Sequence, residues 1–324
     1  MLINTLAALA MGYLLDLLFG DPKIFIYPQN LIKAFCIKLE KILRKAYSDT
    51  SEAQRVAGIM YFLVTVVIVG GISAVLLMVC YKLWTVLGIL VEGIMCWPAI
   101  SIRSLRSSAA GVLRCVKAGN INGAQRRLKD ISNRDVEDID LDGAIKCAVE
   151  TVSENTADWA VAPIFWIALL GGAGGLIYRS INIMDNLVGY KTKEYKAFGG
   201  FSAKMDDIFT YIPARLAALL MRIDAAFLKL DSKNAKQVYK RDRRKNASPN
   251  SGQTQSVCAG ALGIQLCGEE YYYAGELVKK RAIGNDLKPV HPTDIYWANQ
   301  LLNGTAFLGV AVTFIVRTAL FFVL

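Results

Sequence analysis

The stretch "AGIMYFLVTVVIVGGISAVLLMVCY", Ala57–Tyr81, carries no charge over 25 residues. As a helix it is long enough to cross the roughly 30 Å hydrocarbon core of a bilayer. No soluble packing pattern calls for an apolar run of that length, so the fold is expected to be built in a membrane. The next segment, "LWTVLGILVEGIMCWPAISI" (Leu83–Ile102), holds a single acid, Glu92. The two are expected to form a transmembrane hairpin that turns near Lys82.

Working outward, the N-terminal "LINTLAALAMGYLLDLLFG" is apolar but contains Asp16. It lacks a basic start and a small-residue cleavage site, so a retained helix is expected over 2–19 rather than a removed signal. The C-terminal "LLNGTAFLGVAVTFIVRTALFFVL" gives a further span at 301–324, with Arg317 close enough to the end to snorkel. Residues 160–178 give another, either crossing or re-entrant, because "GGAGG" at Gly171–Gly175 weakens a helix. The composition agrees with a membrane protein, since 54% of the 324 residues are hydrophobic. The expectation is one all-α, polytopic integral-membrane domain over 1–324, with polar cytoplasmic stretches at 20–56, 103–158 and 179–299.

The net charge of +10 lacks the aromatic interleaving of a nucleic-acid module, so no nucleic-acid partner is expected. The densest cluster, "KNAKQVYKRDRRKN" (Lys233–Asn246), fits cytoplasmic loops and anionic lipid heads instead. Seven cysteines are scattered without paired spacing and read as small buried hydrophobes rather than disulfides or zinc ligands. "SLRSSAAGVLRCVKAGNINGAQRRL" reads as a two-helix hairpin broken at "AGNING". No alternating strand pattern or internal repeat is evident.

The chemistry begins at "ETVSENTADWAVAPIFW". Glu150, Glu154 and Asp158 are four residues apart and share one helical face. Like charges at that spacing destabilise a helix by about 0.2–0.5 kcal/mol per pair, so the stripe is either a solvated face or a site. Downstream, Arg179, Asn182 and Asp185 share a second face. The following helix is expected to start with the adjacent acids Asp206 and Asp207, a placement that suits dipole capping as well as chemistry. Together with Lys191, Lys204 and Arg215, these carboxylates suit Mg²⁺ held by one or two acids plus substrate phosphates, a nucleotide site without a P-loop. In "SPNSGQTQS", Asn250, Ser251 and Gly252 form a turn and Gln253 is expected to begin a small-residue helix, either a plain cap or an anion site. Tyr272 and Glu276 follow, where aromatic rings suit a flat ligand or the membrane interface. The single histidine, His291, lies in a Pro-bounded loop and makes a catalytic triad or histidine metal site a poor expectation.

These motifs, with "LLDLLFGDP" (Leu14–Pro22), "YRSINIMDNLVGYK" (Tyr178–Lys191), "FGGFSAKMDDIFTYIPARL" (Phe198–Leu216), "SPNSGQTQSVCAGALGIQLCG" and "YYYAGEL", resemble in order the adenosylcobinamide-phosphate synthase family of cobalamin biosynthesis. The resemblance implies a carbon–nitrogen ligase in the cell inner membrane, its active site facing the cytoplasm. Adenosylcobyric acid would be joined through a propionate to (R)-1-amino-2-propanol or its O-phosphate, with ATP as cosubstrate and Mg²⁺ as cofactor. The cobalt belongs to the substrate. The implied roles are Glu150, Glu154, Asp158 and Asp207 in catalysis, and Glu154, Asp158, Asp185 and Asp206 on metal. Arg179, Asn182, Lys191, Lys204 and Arg215 fall to phosphates, and Asn250, Ser251, Gly252, Gln253, Tyr272 and Glu276 to the corrinoid or amine phosphate.

Membrane lipid is an expected partner, and a homo-oligomer or contact with later membrane enzymes of the pathway is compatible with the resemblance. Two departures concern substrate contact: "YPQN" (Tyr27–Asn30) stands where the family tends to have His-Pro, and "NSGQTQS" lacks a proline after its glycine. Competing readings are a non-catalytic sensor of the ampicillin-resistance signalling type, which would be free to lose the paired charges retained here, and a corrinoid or amine transporter. A transporter predicts inverted repeats.

Overall fold

The computed structural model describes residues 2–22, 24, 27–132, 134–190, 192–268, 270–273 and 276–323. Among them run α1 (Leu2–Phe19), α2 (Pro28–Ala46), α3 (Ser51–Leu83), α4 (Thr85–Cys96), α5 (Ile102–Lys117), α6 (Ile121–Leu128), α7 (Leu141–Thr156) and α8 (Ala162–Val188). Then come α9 (Gly200–Phe227), α10 (Ser232–Asp242), α11 (Ser251–Leu262) and α12 (Pro292–Val323). A 3₁₀ turn, Trp97–Ala99, follows α4, and a π-turn, Ala157–Val161, joins α7 to α8. Among the described residues four stretches are long and apolar enough to cross a membrane: Ser51–Leu83, Thr85–Lys117, Leu141–Val188 and Pro292–Val323; Ile3–Phe19 is a shorter apolar helix. The chain is a polytopic helical membrane protein.

The strands are a difference from the sequence expectation. β1 (Gln265–Leu266) pairs antiparallel with β4 (Ile283–Gly284), and β2 (Glu270–Tyr273) with β3 (Glu276–Lys279). A two-residue strand carries no readable period, and three consecutive tyrosines mask the alternation of the longer pair.

The contacts divide the chain into two compact units: residues 1–101, 162–210 and 310–324 in the first, and 102–161 and 211–309 in the second. In the first unit, α3 begins at a Thr50 cap whose hydroxyl accepts the Ala53 N–H at 3.3 Å. Its 33 residues make a rod about 50 Å long. Val67, Ile72 and Val75 point outward, as a lipid-facing surface requires, while Tyr61, Phe62 and Val69 pack on Met184, Val188 and Phe198. Trp84 alone separates α3 from α4, which places the hairpin turn where the sequence put it.

Within α8, Gly171 has φ 70° and ψ −165°, so the helix is broken there. Left-handed φ with extended ψ is a region that only glycine occupies cheaply. The break frees the N–H of Gly172, which donates to Glu92 Oε1 at 3.0 Å, while the Tyr81 hydroxyl donates to Glu92 Oε2. "GGAGG" is thus a helix break with a side-chain cap from α4.

In the second unit, the π-turn residues Ala157 and Val161 pack on Ala214, Ala217 and Leu220 of α9 and Leu308 of α12. α5 and α6 form the expected two-helix hairpin, α6 being capped by Asn120. Asp242, fully buried, holds α10 to β4 by accepting from Arg241, Lys245 and the Gly284 N–H. All seven cysteines are free, and all but Cys115 are buried.

Candidate functional site

In the first unit the polar face of α8 beyond its break is buried rather than solvated. Arg179, Asn182 and Asp206 are only 6%, 3% and 8% exposed. The Arg179 guanidinium donates to Ser101 Oγ at 3.0 Å and to Asn182 Oδ1 at 3.4 Å. Asn182 Nδ2 in turn donates to Asp206 Oδ1 at 3.4 Å, and Asn186 Nδ2 donates to Asn182 Oδ1 at 3.2 Å. Buried charges persist when they are hydrogen-bonded, and this chain from α8 to α9 hydrogen-bonds the guanidinium and the carboxylate through Asn182.

The network extends to the N-terminal motif. Ser101 Oγ also accepts from Gln29 Nε2 at 3.1 Å and donates to Asp21 Oδ1 at 3.2 Å; the Tyr27 hydroxyl donates to the same oxygen at 2.9 Å. Burial and the Asp21 carboxylate push the Tyr27 phenol well above its ordinary range. Tyr27 and Gln29 belong to the "YPQN" stretch that departs from the resembled family, so the departure lies at the Arg179 network.

In the second unit, α7 faces the segment around α11. Glu154 Oε1 accepts from Ser251 Oγ at 2.7 Å and Oε2 from Gln255 Nε2 at 3.1 Å. Gln255 Oε1 accepts from Asn246 Nδ2 at 2.8 Å. One turn back, Glu150 Oε1 accepts the backbone N–H of Cys267 at 2.7 Å. Burial and the neighbouring Glu150 carboxylate raise the Cys267 thiol far above the usual thiol range. Arg215 lies over the Tyr211 ring, 3.3 Å from its centroid, and donates to Tyr211 O at 2.6 Å and to Asn250 Oδ1 at 3.4 Å. Every residue of α11 is buried, although seven of its 12 residues are serine, threonine, glutamine or glycine. Asp158 sits on the π-turn, half-buried. Such bulges inside helices are frequent at functional sites.

The structure brings together Arg179, Asn182 and Asp206 in the first unit. In the second it brings Glu154 to Ser251 and Arg215 to Asn250. Gly252 and Gln253 are buried in the first turn of α11, where Gln253 Nε2 donates to Pro249 O at 2.9 Å. Asp185 and Asp207 are half-buried and Lys204 is exposed. Lys191 lies outside the described residues, as do the side chains of Tyr272 and Glu276, whose backbones sit in β2 and β3.

Two sequence expectations are corrected. Asp206 and Asp207 do not begin a helix: α9 starts at Gly200, where Ala203 donates to Gly199 O at 3.0 Å, so the acids lie well inside it and dipole capping does not explain them. α11 likewise starts at Ser251, two residues before Gln253, because Gln253 N–H already bonds Asn250 O at 3.0 Å. Asp21, Gln29, Ser101, Gln255 and Cys267 were not singled out. Asp21, Gln29, Gln255 and Cys267 lie in the motifs that carry the family resemblance or its departures, but Ser101, at the end of an apolar run, gives no sequence signal.

Among the described residues no three His, Cys, Asp or Glu side chains converge as a ready-made ligand set. Mg²⁺ needs fewer, commonly one or two carboxylates completed by phosphate and water. Asp206, with Arg179 one hydrogen-bonded residue away, fits that need. Both oxygens of Glu154 accept from neutral donors.

The family described as CobD/Cbib protein matches residues 9–302. Among curated relatives, the cobalamin biosynthesis protein CobD of Clostridium perfringens is 38% identical over 309 residues, covering 95% of this chain and 97% of the relative. That of Pelobacter propionicus is 36% identical over 87% of this chain and 86% of its own length. The cobalamin biosynthesis protein CbiB of Salmonella arizonae is 33% identical over 95% and 96%. No solved structure matches the chain at a significant level.

Proposed function

Because the chain belongs to the CobD/Cbib family, we propose that it is the adenosylcobinamide-phosphate synthase of cobalamin biosynthesis, a membrane ligase that forms one amide bond at the expense of ATP. The observation that carries this reading is the family match across residues 9–302, which takes in both compact units. The acid substrate is adenosylcobyric acid and the amine is (R)-1-amino-2-propanol or its O-phosphate.

A carboxylate does not acylate an amine unaided, because its oxygen is a poor leaving group. Transfer of the ATP γ-phosphoryl to the propionate supplies one: a carboxylate O–P bond forms, ADP leaves, and the amine nitrogen then displaces phosphate and loses a proton. The protein's task is to hold phosphates, neutralise the charge on the transferring group and accept that proton. Arg179, with Asn182 fixing its angle, suits the phosphates; Lys191, Lys204 and Arg215 are further candidates. Asp206 and Asp185 are the candidates to hold Mg²⁺, which would supply charge neutralisation, and Asp158 and Asp207 to take the amine proton. Asn250–Gln253, Tyr272 and Glu276 are assigned to the corrinoid or the amine phosphate. The catalytic face is assigned to the cytoplasm, where ATP is found and where the positive-inside rule would put the basic loops.

The test is turnover by the purified protein in detergent with adenosylcobyric acid, Mg·ATP and each amine in turn. Amide product formed with ADP, dependent on the amine and lost in Arg179→Ala, is the expected result. No product with any amine from folded protein would return the chain to the sensor or transporter readings.

A further inference from the structure

α7 raises a problem of its own. Glu150 and Glu154 are stacked one turn apart, and such a pair weakens a helix unless something lies against it. What lies against Glu154 is neutral: Ser251 Oγ at 2.7 Å and Gln255 Nε2 at 3.1 Å. Among the groups against Glu150 is the Cys267 N–H at 2.7 Å. These donors belong to one continuous piece of chain. Ser251 and Gln255 are in the first turns of α11, and Cys267 follows the β1 strand beyond its end.

The far contact is made at an unusual place. Cys267 has φ 57° and Gly268 φ 85°, two successive residues in the left-handed region. A non-glycine residue stays there only where its surroundings over-determine it. Glu150 holds the N–H of that residue, and the β2–β3 hairpin begins two residues beyond Gly268.

We propose that Glu150 and Glu154 are positioning residues that clamp the two ends of segment 251–268, Glu154 at the start of α11 and Glu150 at the left-handed turn after it. The clamp fixes Asn250–Gln253 and the hairpin base as a substrate-docking element. This deepens the ligase reading above and rests on it. It assigns the two acids hydrogen-bond acceptance, with no proton transfer and no metal ligation. An amide does the same work. Gln at 150 keeps an oxygen for the Cys267 N–H. Gln at 154 accepts from Gln255 and donates to Ser251, whose hydroxyl takes either role.

The experiment compares Glu150→Gln, Glu150→Ala, Glu154→Gln and Glu154→Ala in full-length purified protein by steady-state kinetics and by hydrogen exchange. The Gln variants are expected to keep kcat and KM within about threefold of wild type, and the Ala variants to raise KM for adenosylcobyric acid by about tenfold or more. Exchange across 251–268 is expected to rise in the Ala variants and return to the wild-type rate in the Gln variants. A Gln variant with wild-type exchange but kcat lowered by about 10²-fold or more overturns the proposal and makes that acid a base or metal ligand. If the wild type makes no amide with any amine, the ligase reading fails by itself. The exchange comparison still decides the clamp, and unchanged exchange in the Ala variants would sink it.

Discussion

Glu92 Oε1 accepts the N–H of Gly172 at 3.0 Å, so the carboxylate of one membrane helix caps the break in another. Its second oxygen takes the Tyr81 hydroxyl. Glu92→Ala leaves both donors unpartnered in an apolar setting, and we expect a loss of about 3 kcal/mol. Glu92→Gln keeps an acceptor and should cost less than half of that. Thermal unfolding in detergent, followed by exposure of the buried cysteines to a thiol reagent, reads the difference. Equal midpoints for Glu92→Ala and wild type would remove the capping role.

Asp224 is 6% exposed on α9, and a Cβ at Gly304 of α12 would stand 2.0 Å from its Oδ1. Burial alone raises this carboxyl from 3.8 to about 6. The folded state therefore holds the proton more tightly than the unfolded one. Stability from this group is full below about pH 4 and declines as pH rises through about 6, by up to about 3 kcal/mol. Asp224→Asn should flatten that slope and raise stability at pH 8. Gly304→Ala should cost about 1–3 kcal/mol through overpacking, and Asp224→Ala in the same chain should relieve most of it. Denaturation midpoints across pH 4–8 measure both effects.

Cys267 supplies a third comparison. Glycine at this position removes the left-handed penalty of about 1 kcal/mol while keeping the N–H that Glu150 accepts. Cys267→Gly should be close to neutral, since the backbone gain is offset by the loss of a buried thiol. Cys267→Val puts a β-branched residue at φ 57° and should cost about 2 kcal/mol or more. A Val variant as stable as the Gly variant would show that the backbone does not hold that angle.

Arg179 donates in two directions, to Ser101 and Asn182, which a lysine cannot reproduce. Arg179→Lys is expected to lower kcat/KM by about 10²-fold, and Ser101→Ala by about tenfold through loss of the guanidinium's orientation. Amide formation rates under saturating ATP test this. A fully active Arg179→Lys would move the phosphate contact elsewhere.

Helices were legible in the sequence wherever one simple period ran for several turns. Ala57–Tyr81 is uncharged throughout, and nothing but a membrane helix suits it. The same holds for the face that carries Arg179 and Asn182. What could not be read were facts set by partners distant in the chain. The break at Gly171 is legible as weakness, but its cap, Glu92, lies some 80 residues away. Glu150 and Glu154 were legible as a stripe and not as a clamp, because their donors stand 117 and roughly 100 residues downstream. The start of α9 was misplaced because "FGGFSAKM" holds no capping residue at the true beginning, so the acids at 206 and 207 drew the boundary toward themselves.

The division of the chain also governs its biogenesis. The first unit is assembled from residues 1–101, 162–210 and 310–324, with the second threaded between them. During translation, therefore, neither unit can be finished before the other has been started, and the first waits for its last helical segment until residue 310 and beyond have been made. Its early membrane helices must therefore persist in the bilayer without that last segment until it has been made.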